Sequence, residues 1–250
     1  MLSVVAARPF DLLIPVLVLL VAGFIKGMLG LGLPAVGVGL LGLMMAPVRA
    51  AAILVVPSSV TNLWQLSDGG GLRRILLRLW PMLIGIVAGS YLGSGALGGG
   101  NVGQIRLWLG LVLAGYGLFG LVARRLRVPP GWEMWLGPLA GVATGIVTTA
   151  TGLSMMPVVP YVAGLDGLDR DDMVQAMGLS FTVSSLSLGV DLLGSGQYDR
   201  ALLIASAAAV IPALIGMQIG SYARRRISAL LFRRIFFVGL VGLGVALAWH

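Results

Sequence analysis

The sequence has no cysteine, one histidine (His250) and one lysine (Lys26) among its 250 residues. The absence of cysteine excludes disulfides, thiolate metal sites and cysteine nucleophiles. A single histidine at position 250 leaves almost no basis for histidine catalysis. Charged residues make up only 10% of the chain, against about 25% in soluble domains. Too little charge is therefore present to cover a surface that faces water.

Apolar residues are abundant instead, since 58% of the chain is hydrophobic and its mean hydropathy is +1.00. Long apolar runs alternate with short arginine-rich patches, which is typical of a multi-pass α-helical protein in a lipid bilayer. The net charge of +8 does not indicate nucleic-acid binding, because the arginines lie at the ends of apolar runs and form no continuous basic face. The sequence predicts eight apolar segments, at about 11–46, 50–67, 75–96, 104–123, 133–163, 173–194, 200–222 and 229–249.

The chain contains two related halves. Residues 81–91 read PMLIGIVAGSY and residues 212–222 read PALIGMQIGSY, and seven of these eleven positions are identical. A looser match pairs GFIKG at 23–27 with GVATG at 141–145. The glycines in these motifs recur every four residues, a spacing that predicts close helix packing within a membrane.

The first and fifth segments are longer than one crossing, and each is interrupted at the same place in its half. The first is interrupted at residues 26–34, and the fifth at residues 148–154. Broken segments at matching positions indicate the binding site of a secondary transporter. We interpret each as a helix–loop–helix elbow. Half-helices of about 13 residues would rise about 20 Å, enough to reach the midplane of a hydrocarbon core of about 30 Å.

The arginines favour elbows that return to the side from which they enter. If all eight segments cross, eight arginines lie on each side; if the first and fifth return, twelve lie on one side and four on the other. Cytoplasmic loops are arginine-rich, so the second arrangement is favoured. Each repeat then has one elbow and three crossings, and because three is odd the second repeat is inverted. The sequence thus predicts an all-α integral membrane protein with one membrane domain, residues 1–250, and inverted repeats at about 10–125 and 131–249.

The two elbow tips predict a binding site for a small anionic substrate. A helix that restarts inside the membrane presents free N–H groups and the positive end of its dipole. Pro34 suits the first turn of such a helix, and Lys26 would supply a counter-charge. Structural alternatives remain, since glycine and threonine also allow helices to pack closely and a lysine can extend to the interface. The predicted substrate-binding residues are Lys26, Gly27, Gly30, Gly32, Pro34, Ser58, Asn62, Thr148, Thr151, Gly152, Ser154 and Gln175.

Coupling and cofactor sites are less clearly indicated. Glu133 and Asp191 are candidates to carry a coupling proton, but both lie near segment ends, so a coupling proton or sodium ion has no obvious site. Gln218, which replaces the Val87 of the first copy, is a weaker binding candidate. No phosphate-binding lysine motif is present, and the glycines near position 30 lack the flanking strand of a dinucleotide site. No cofactor and no metal are predicted.

The motifs together resemble the sulfite exporter TauE/SafE family, also described as sulfonate and organosulfur anion permeases. The first half carries GFIKGMLGLG at 23–32, and a P-x-x-x-G-x-x-x-G motif follows in each half. The pattern recurs in the second half as Gly141, Gly145, Thr148, Ala150 and Gly152. The resemblance covers nearly the whole chain and implies transport of small sulfur oxyanions or sulfonates across the bacterial inner membrane. Family members usually have three successive glycines in each half, and here other residues stand at those positions.

The resulting hypothesis is a secondary transporter that moves sulfite, an organosulfonate or a related organic anion by alternating access. Four alternatives remain open. The chain could be an anion channel, a transporter of another small carboxylate or a structural subunit. An intramembrane enzyme is disfavoured, because no nucleophile lies beside a base. The sequence gives no indication of the oligomeric state.

Overall fold

The computed structural model describes residues 9–67, 71–122, 127–129, 131–224 and 226–249, and every regular element in these ranges is an α-helix. The predicted repeat boundary near residue 125 lies outside the described residues, as do four of the counted arginines, Arg8, Arg124, Arg125 and Arg225. The helices are α1 (Pro9–Leu29), α2 (Leu33–Met44), α3 (Pro47–Ser67), α4 (Leu72–Leu92), α5 (Ala96–Gly99), α6 (Val102–Val122), α7 (Glu133–Thr151), α8 (Val158–Ala163), α9 (Arg170–Gly194), α10 (Arg200–Ala208), α11 (Val210–Ala223) and α12 (Ala229–Trp249).

Five helical stretches in the described ranges are long and apolar enough to cross a membrane: Leu72–Gly99, Val102–Val122, Asp171–Gly194, Arg200–Ala223 and Leu230–Trp249. They match five of the predicted single crossings. The predicted crossing at 50–67 forms α3, whose 21 residues include a row of polar side chains that lowers its hydropathy. Large apolar side chains such as Ile84, Val190 and Ile219 are more than half exposed. Such a surface is suited to lipid and not to water.

Both predicted interruptions are present, so neither long segment is a continuous rod. Of their four arms, however, only α2, with 12 residues, has about the predicted length of 13 residues. The first elbow joins helices of 21 and 12 residues, and the second joins helices of 19 and 6. Helix α1 extends past Lys26 because the backbone first takes up a left-handed conformation at Gly30, where φ is +77°. Helix α7 extends to Thr151, whose hydroxyl bonds back to the carbonyl of Val147 within the helix.

The closest helix pairs join one half of the chain to the other. Helix α1 packs along α11, and α4 packs along α7. The repeated glycines lie in these contacts: a Cβ added at Gly89 would be 2.1 Å from the carbonyl oxygen of Val142, and one added at Gly220 would be 2.1 Å from that of Phe24. The predicted close packing at the glycines is confirmed, because only a residue without a side chain allows backbones to approach so closely.

Helices α3 and α9 pack side by side, and both elbows pack against them: α2 lies on α3, while α7 and α8 lie on α9. This arrangement brings the two interruptions to the same pair of helices. The most buried of the five crossing stretches is the one in α9, where 56% of the apolar part is buried. The polar side chains of α3 and α9 are therefore enclosed by protein, as expected for polar residues within a membrane.

Candidate functional site

A row of polar side chains follows one face of α3. Ser58, Thr61, Asn62 and Gln65 occupy positions i, i+3, i+4 and i+7, a spacing that places them on one side of a helix. All four are buried, with at most 3% of their surface exposed. Polar groups taken out of contact with water need hydrogen-bond partners. The partners of these four side chains define the site.

Lys26 is the main partner of this row. Its side chain is only 2% exposed, and its Nζ donates hydrogen bonds to Thr61 Oγ1 at 2.8 Å and to Asn62 Oδ1. The hydroxyl of Thr61 in turn donates to the carbonyl of Pro57 at 2.6 Å, so its oxygen is free to accept from Lys26. The lysine is thus held by two neutral oxygens on adjacent positions of α3.

No carboxylate pairs with Lys26 among the residues that the structure describes. The ion pairs found there are Arg74–Asp172 and Arg78–Glu133, and both involve the N-terminal third of α4. A charged ammonium buried without a counter-ion is unfavourable, because desolvation is not offset by attraction to an opposite charge. Among the described residues, no side chain supplies the negative charge that an ammonium at this position would need.

The first elbow is fixed by α3. The carbonyl of Gly30 accepts a hydrogen bond of 2.7 Å from Gln65 Nε2. Gly32 has φ +106°, a conformation suited to glycine, and directly precedes α2. Pro34 lies in the first turn of α2, as predicted. The positive end of this 12-residue helix therefore begins deep in the protein, beside the polar face of α3.

The second elbow is stabilised by its own threonines. Thr148 Oγ1 donates to the carbonyl of Thr144 at 2.7 Å and lies 3.3 Å from that of Leu153. Thr151 Oγ1 accepts from the N–H of Leu153 at 3.2 Å. Gly152, with φ +77°, makes the turn out of α7. These two hydroxyls thus form hydrogen bonds with backbone groups of the loop. This role is distinct from the donation of hydrogen bonds to substrate that the sequence predicts.

A small cavity lies where the two elbows meet α3 and α9. Its volume is about 10 Å³, room for about one water molecule, so the site is closed to an oxyanion in this conformation. Five predicted residues line it, namely Pro34, Ser58, Thr148, Gly152 and Ser154. Ser185 and the apolar residues Ala51, Leu54, Val55 and Leu188 complete the lining. The Oγ of Ser58 is buried there with no hydrogen-bond partner in the described part of the chain.

Lys26 and Asn62 lie close to the cavity without lining it. Asn62 follows Ser58 by one turn of α3, about 5.4 Å along the axis. Asn62 Nδ2 lies 3.5 Å from Ser185 Oγ, which does line the cavity. One hydrogen bond therefore separates the lysine and asparagine pair from the cavity wall.

The structure places other predicted residues away from the cavity. A Cβ at Gly27 would lie 2.1 Å from the carbonyl oxygen of Met217, so this glycine serves the contact between α1 and α11. A Cβ at Gly32 would meet the ring of Phe236. Gln175 donates to the carbonyl of Leu66 at 2.8 Å. Gly30 and Thr151 shape the elbow loops, as described above.

The weaker sequence candidates also lie apart from this site. Glu133 forms the ion pair with Arg78, at 2.6 Å. Asp191 accepts hydrogen bonds from the hydroxyl of Ser94 and from the N–H of Gly95, at the end of α4. Gln218 is exposed on α11. None of the three contacts the cavity or Lys26.

Two residues outside the predicted set belong to the site. Thr61 bonds Lys26 directly, and Ser185 lines the cavity. The i, i+3, i+4, i+7 spacing on α3 is the signal that could have selected Thr61, because it joins Ser58, Asn62 and Gln65 on one face. The sequence offers no comparable signal for the apolar lining residues, since apolar residues are everywhere in this chain.

The family model described as "Sulfite exporter TauE/SafE" matches residues 15–247, which includes both elbows and both glycine motifs. No curated protein and no solved structure is similar enough to this chain to count as a match. Together with the five crossing helices, the family match shows that the chain is a multi-pass membrane transporter, and it belongs to the sulfite exporter TauE/SafE family.

Proposed function

We propose that this transporter carries a small sulfur oxyanion, sulfite or an organosulfonate, and binds it where the two elbows meet. The observation that supports this most strongly is Lys26, a buried basic group with no carboxylate partner among the described residues. It is bonded to Asn62, which lies one helical turn from Ser58 in the wall of a cavity lined by both elbows. A bound anion would supply the missing negative charge.

The donors near the cavity suit an oxyanion. Such an anion accepts several hydrogen bonds, which are stronger when the acceptor is charged. Ser58, Ser154 and Ser185 bring hydroxyl groups to the cavity, and the first turn of α2 adds backbone N–H groups with the positive end of a helix dipole. Ser58 is the clearest of these donors, because its hydroxyl has no other partner among the described residues.

Alternating access between two inverted repeats is the mechanism we propose. Two features support it. The first elbow helix of each half packs on the glycine-rich helix of the other half, α1 on α11 and α7 on α4, as a two-fold relation would require. The cavity of about 10 Å³ also fits a conformation in which the site is closed. The family resemblance further suggests the bacterial inner membrane as the location.

The proposal is tested with Lys26→Ala in detergent-purified protein. The melting temperature of the native protein is measured in titrations with sulfite, thiosulfate, sulfoacetate, taurine and lactate. We expect a sulfur oxyanion to raise it most. Lys26→Ala should weaken that binding at least about tenfold, because a hydrogen bond to a charged group contributes about 1.5–3 kcal/mol.

The matched control is Thr144→Ala. Thr144 is buried at the position of the second half that corresponds to Lys26, and its hydroxyl donates only to the carbonyl of Ala140. This variant should bind the anion as the native protein does.

Unchanged affinity in Lys26→Ala would remove the lysine from the site. Tighter binding of lactate than of any sulfur oxyanion would overturn the substrate class, and flux that does not saturate in proteoliposomes would indicate a channel.

A further inference from the structure

The hydrogen bonds of Lys26 match those of a neutral amine. A lysine ammonium has three N–H donors and no acceptor, whereas the deprotonated amine has two donors and one lone pair. The structure provides two acceptors for Nζ, Thr61 Oγ1 and Asn62 Oδ1, and no third partner among the described residues. In the closed site both N–H groups of the amine are therefore bonded, while the ammonium would have one N–H unbonded and no counter-ion among the described residues.

No acidic side chain is placed to hold a proton or a cation near Lys26. The described acidic side chains on the helices packed against α1 and α3 are Asp171, Asp172 and Asp191 on α9 and Glu133 on α7. Glu133 pairs with Arg78. Asp172 pairs with Arg74, and Asp191 is bonded at the end of α4. Asp191 follows the cavity residue Leu188 by three positions, about 4.5 Å along the helix, but it does not line the cavity.

The other titratable and charged side chains on these packed helices are also uninvolved. Helix α2 carries none, and α11 carries Tyr222, which accepts a hydrogen bond from Arg226 at the surface. Helix α6 carries Tyr116, which packs on Phe237, and Arg106, which donates to the carbonyl of Gly42. The remaining basic groups are Arg49 on α3, Arg200 on α10, and Arg233 and Arg234 on α12. None of them forms a hydrogen bond or ion pair with Lys26 in the described structure. Lys26 is thus the titratable group that can respond directly to an anion in the cavity.

We infer that Lys26 itself carries the coupling proton, being neutral in the empty transporter and protonated when the anion is bound. The inference rests on the proposed function of this site. On the side of anion access, an O–H bond of a hydronium ion breaks and leaves water, an N–H bond forms at the lone pair of Nζ, and the anion occupies the cavity. On the opposite side the anion leaves and Nζ returns the proton to water. One proton therefore moves with each anion, in the same direction.

The direction of the pH dependence follows from this step. Because the occupied site holds one more proton than the empty site, anion affinity falls as pH rises, by up to about tenfold per pH unit while Lys26 is neutral in the empty protein. Transport of one proton together with one singly charged sulfonate moves no net charge across the membrane. A site with a permanently charged cation would instead show pH-independent binding.

Proton uptake on binding provides the test. Native protein in weakly buffered detergent solution is titrated with methanesulfonate, whose charge is constant near neutral pH, and with sulfite, corrected for its own titration in a protein-free blank. We expect uptake of about one proton per anion bound. Binding without proton uptake would overturn the inference and leave the proposed function intact. Absence of binding by both anions would instead overturn the proposed function.

Two variants assign the proton to a residue. Lys26→Arg keeps the positive charge at every pH, so it should bind methanesulfonate without proton uptake and without the fall in affinity at high pH. Asp191→Asn removes the acidic group nearest to the cavity along α9 and should retain full proton uptake. Normal proton uptake in Lys26→Arg, or its loss in Asp191→Asn, would contradict the assignment. If Lys26→Arg does not fold, the native titration and Asp191→Asn still decide the outcome.

Discussion

At the scale of single residues, the assignment of a buried polar side chain to the binding site depends on whether it already has a hydrogen-bond partner within the protein. The sequence identified Lys26 because it is the only lysine and lies beside a break, and it identified Ser58 and Asn62 because they are polar within an apolar segment. The roles of Thr148 and Thr151 could not be predicted in this way. Their hydroxyls bond to the loop that follows α7, and that choice depends on loop geometry that residue types alone do not reveal.

Ser58→Ala should separate binding from stability. The hydroxyl of Ser58 is buried and unbonded in the described structure, so its removal leaves no partner unsatisfied and should not lower the melting temperature of the empty protein. Anion affinity should fall about five- to tenfold, the loss of one hydrogen bond of about 1–1.4 kcal/mol. Thermal-shift titration with sulfite measures both quantities.

The control for this change is Ser184→Ala. Ser184 is fully buried on α9, and its hydroxyl donates to the carbonyl of Ser180 at 3.0 Å, so its removal should leave affinity unchanged. Equal affinity losses in Ser58→Ala and Ser184→Ala would show a general packing effect and would remove Ser58 from the site.

At the scale of helices, the sequence predicted where the two elbows break but not how long their arms are. Glycine and proline indicated the breaks correctly, and Pro34 does lie in the first turn of α2. The ends of α1 and α7 depend on single backbone angles at Gly30 and Gly152. Each break region contains several glycines or threonines, and the sequence does not show which of them leaves the helix first.

Gly89→Ala should destabilise the contact between α4 and α7. The new Cβ would lie 2.1 Å from the carbonyl oxygen of Val142, so the two backbones must separate, at a cost of about 1–3 kcal/mol. The melting temperature in detergent should fall by several degrees. Gly115→Ala on α6 is the matched control, because nothing lies within 4 Å of the added Cβ and alanine favours a helix. Equal melting temperatures for both variants would show that the glycine contact is unimportant.

At the scale of the whole molecule, the two halves recognised in the sequence pack against each other through equivalent helices. Helix α1 of the first half packs on α11 of the second, and α7 of the second half packs on α4 of the first. The sequence predicted the duplication and the close glycine contacts. It could not predict that these contacts join different halves, because the same motif would also allow packing within one half. The pairing depends on the three-dimensional arrangement of all the helices.

Cysteine labelling tests the inverted topology directly, since the chain has no native cysteine. Single cysteines at the exposed positions Arg73, Arg200 and Arg226 should react with an impermeant maleimide in cells and in inverted vesicles. With returning elbows, Arg73→Cys and Arg226→Cys react from the cytoplasmic side and Arg200→Cys from the other. Labelling of Arg73→Cys and Arg200→Cys from the same side, with Arg226→Cys opposite, would show that all eight segments cross and would contradict the inversion.

The central claim is that an oxyanion binds between the two elbows, and anomalous diffraction with selenite tests it most directly. Selenite has the shape and charge of sulfite, and a protein without thiols does not reduce it. We predict one dominant selenium peak between the start of α2, Ser58 and Ser154, beside Lys26, in a cavity wider than that of the closed conformation. A peak confined to the surface arginines, with the space between the elbows empty at saturating selenite, would contradict the account.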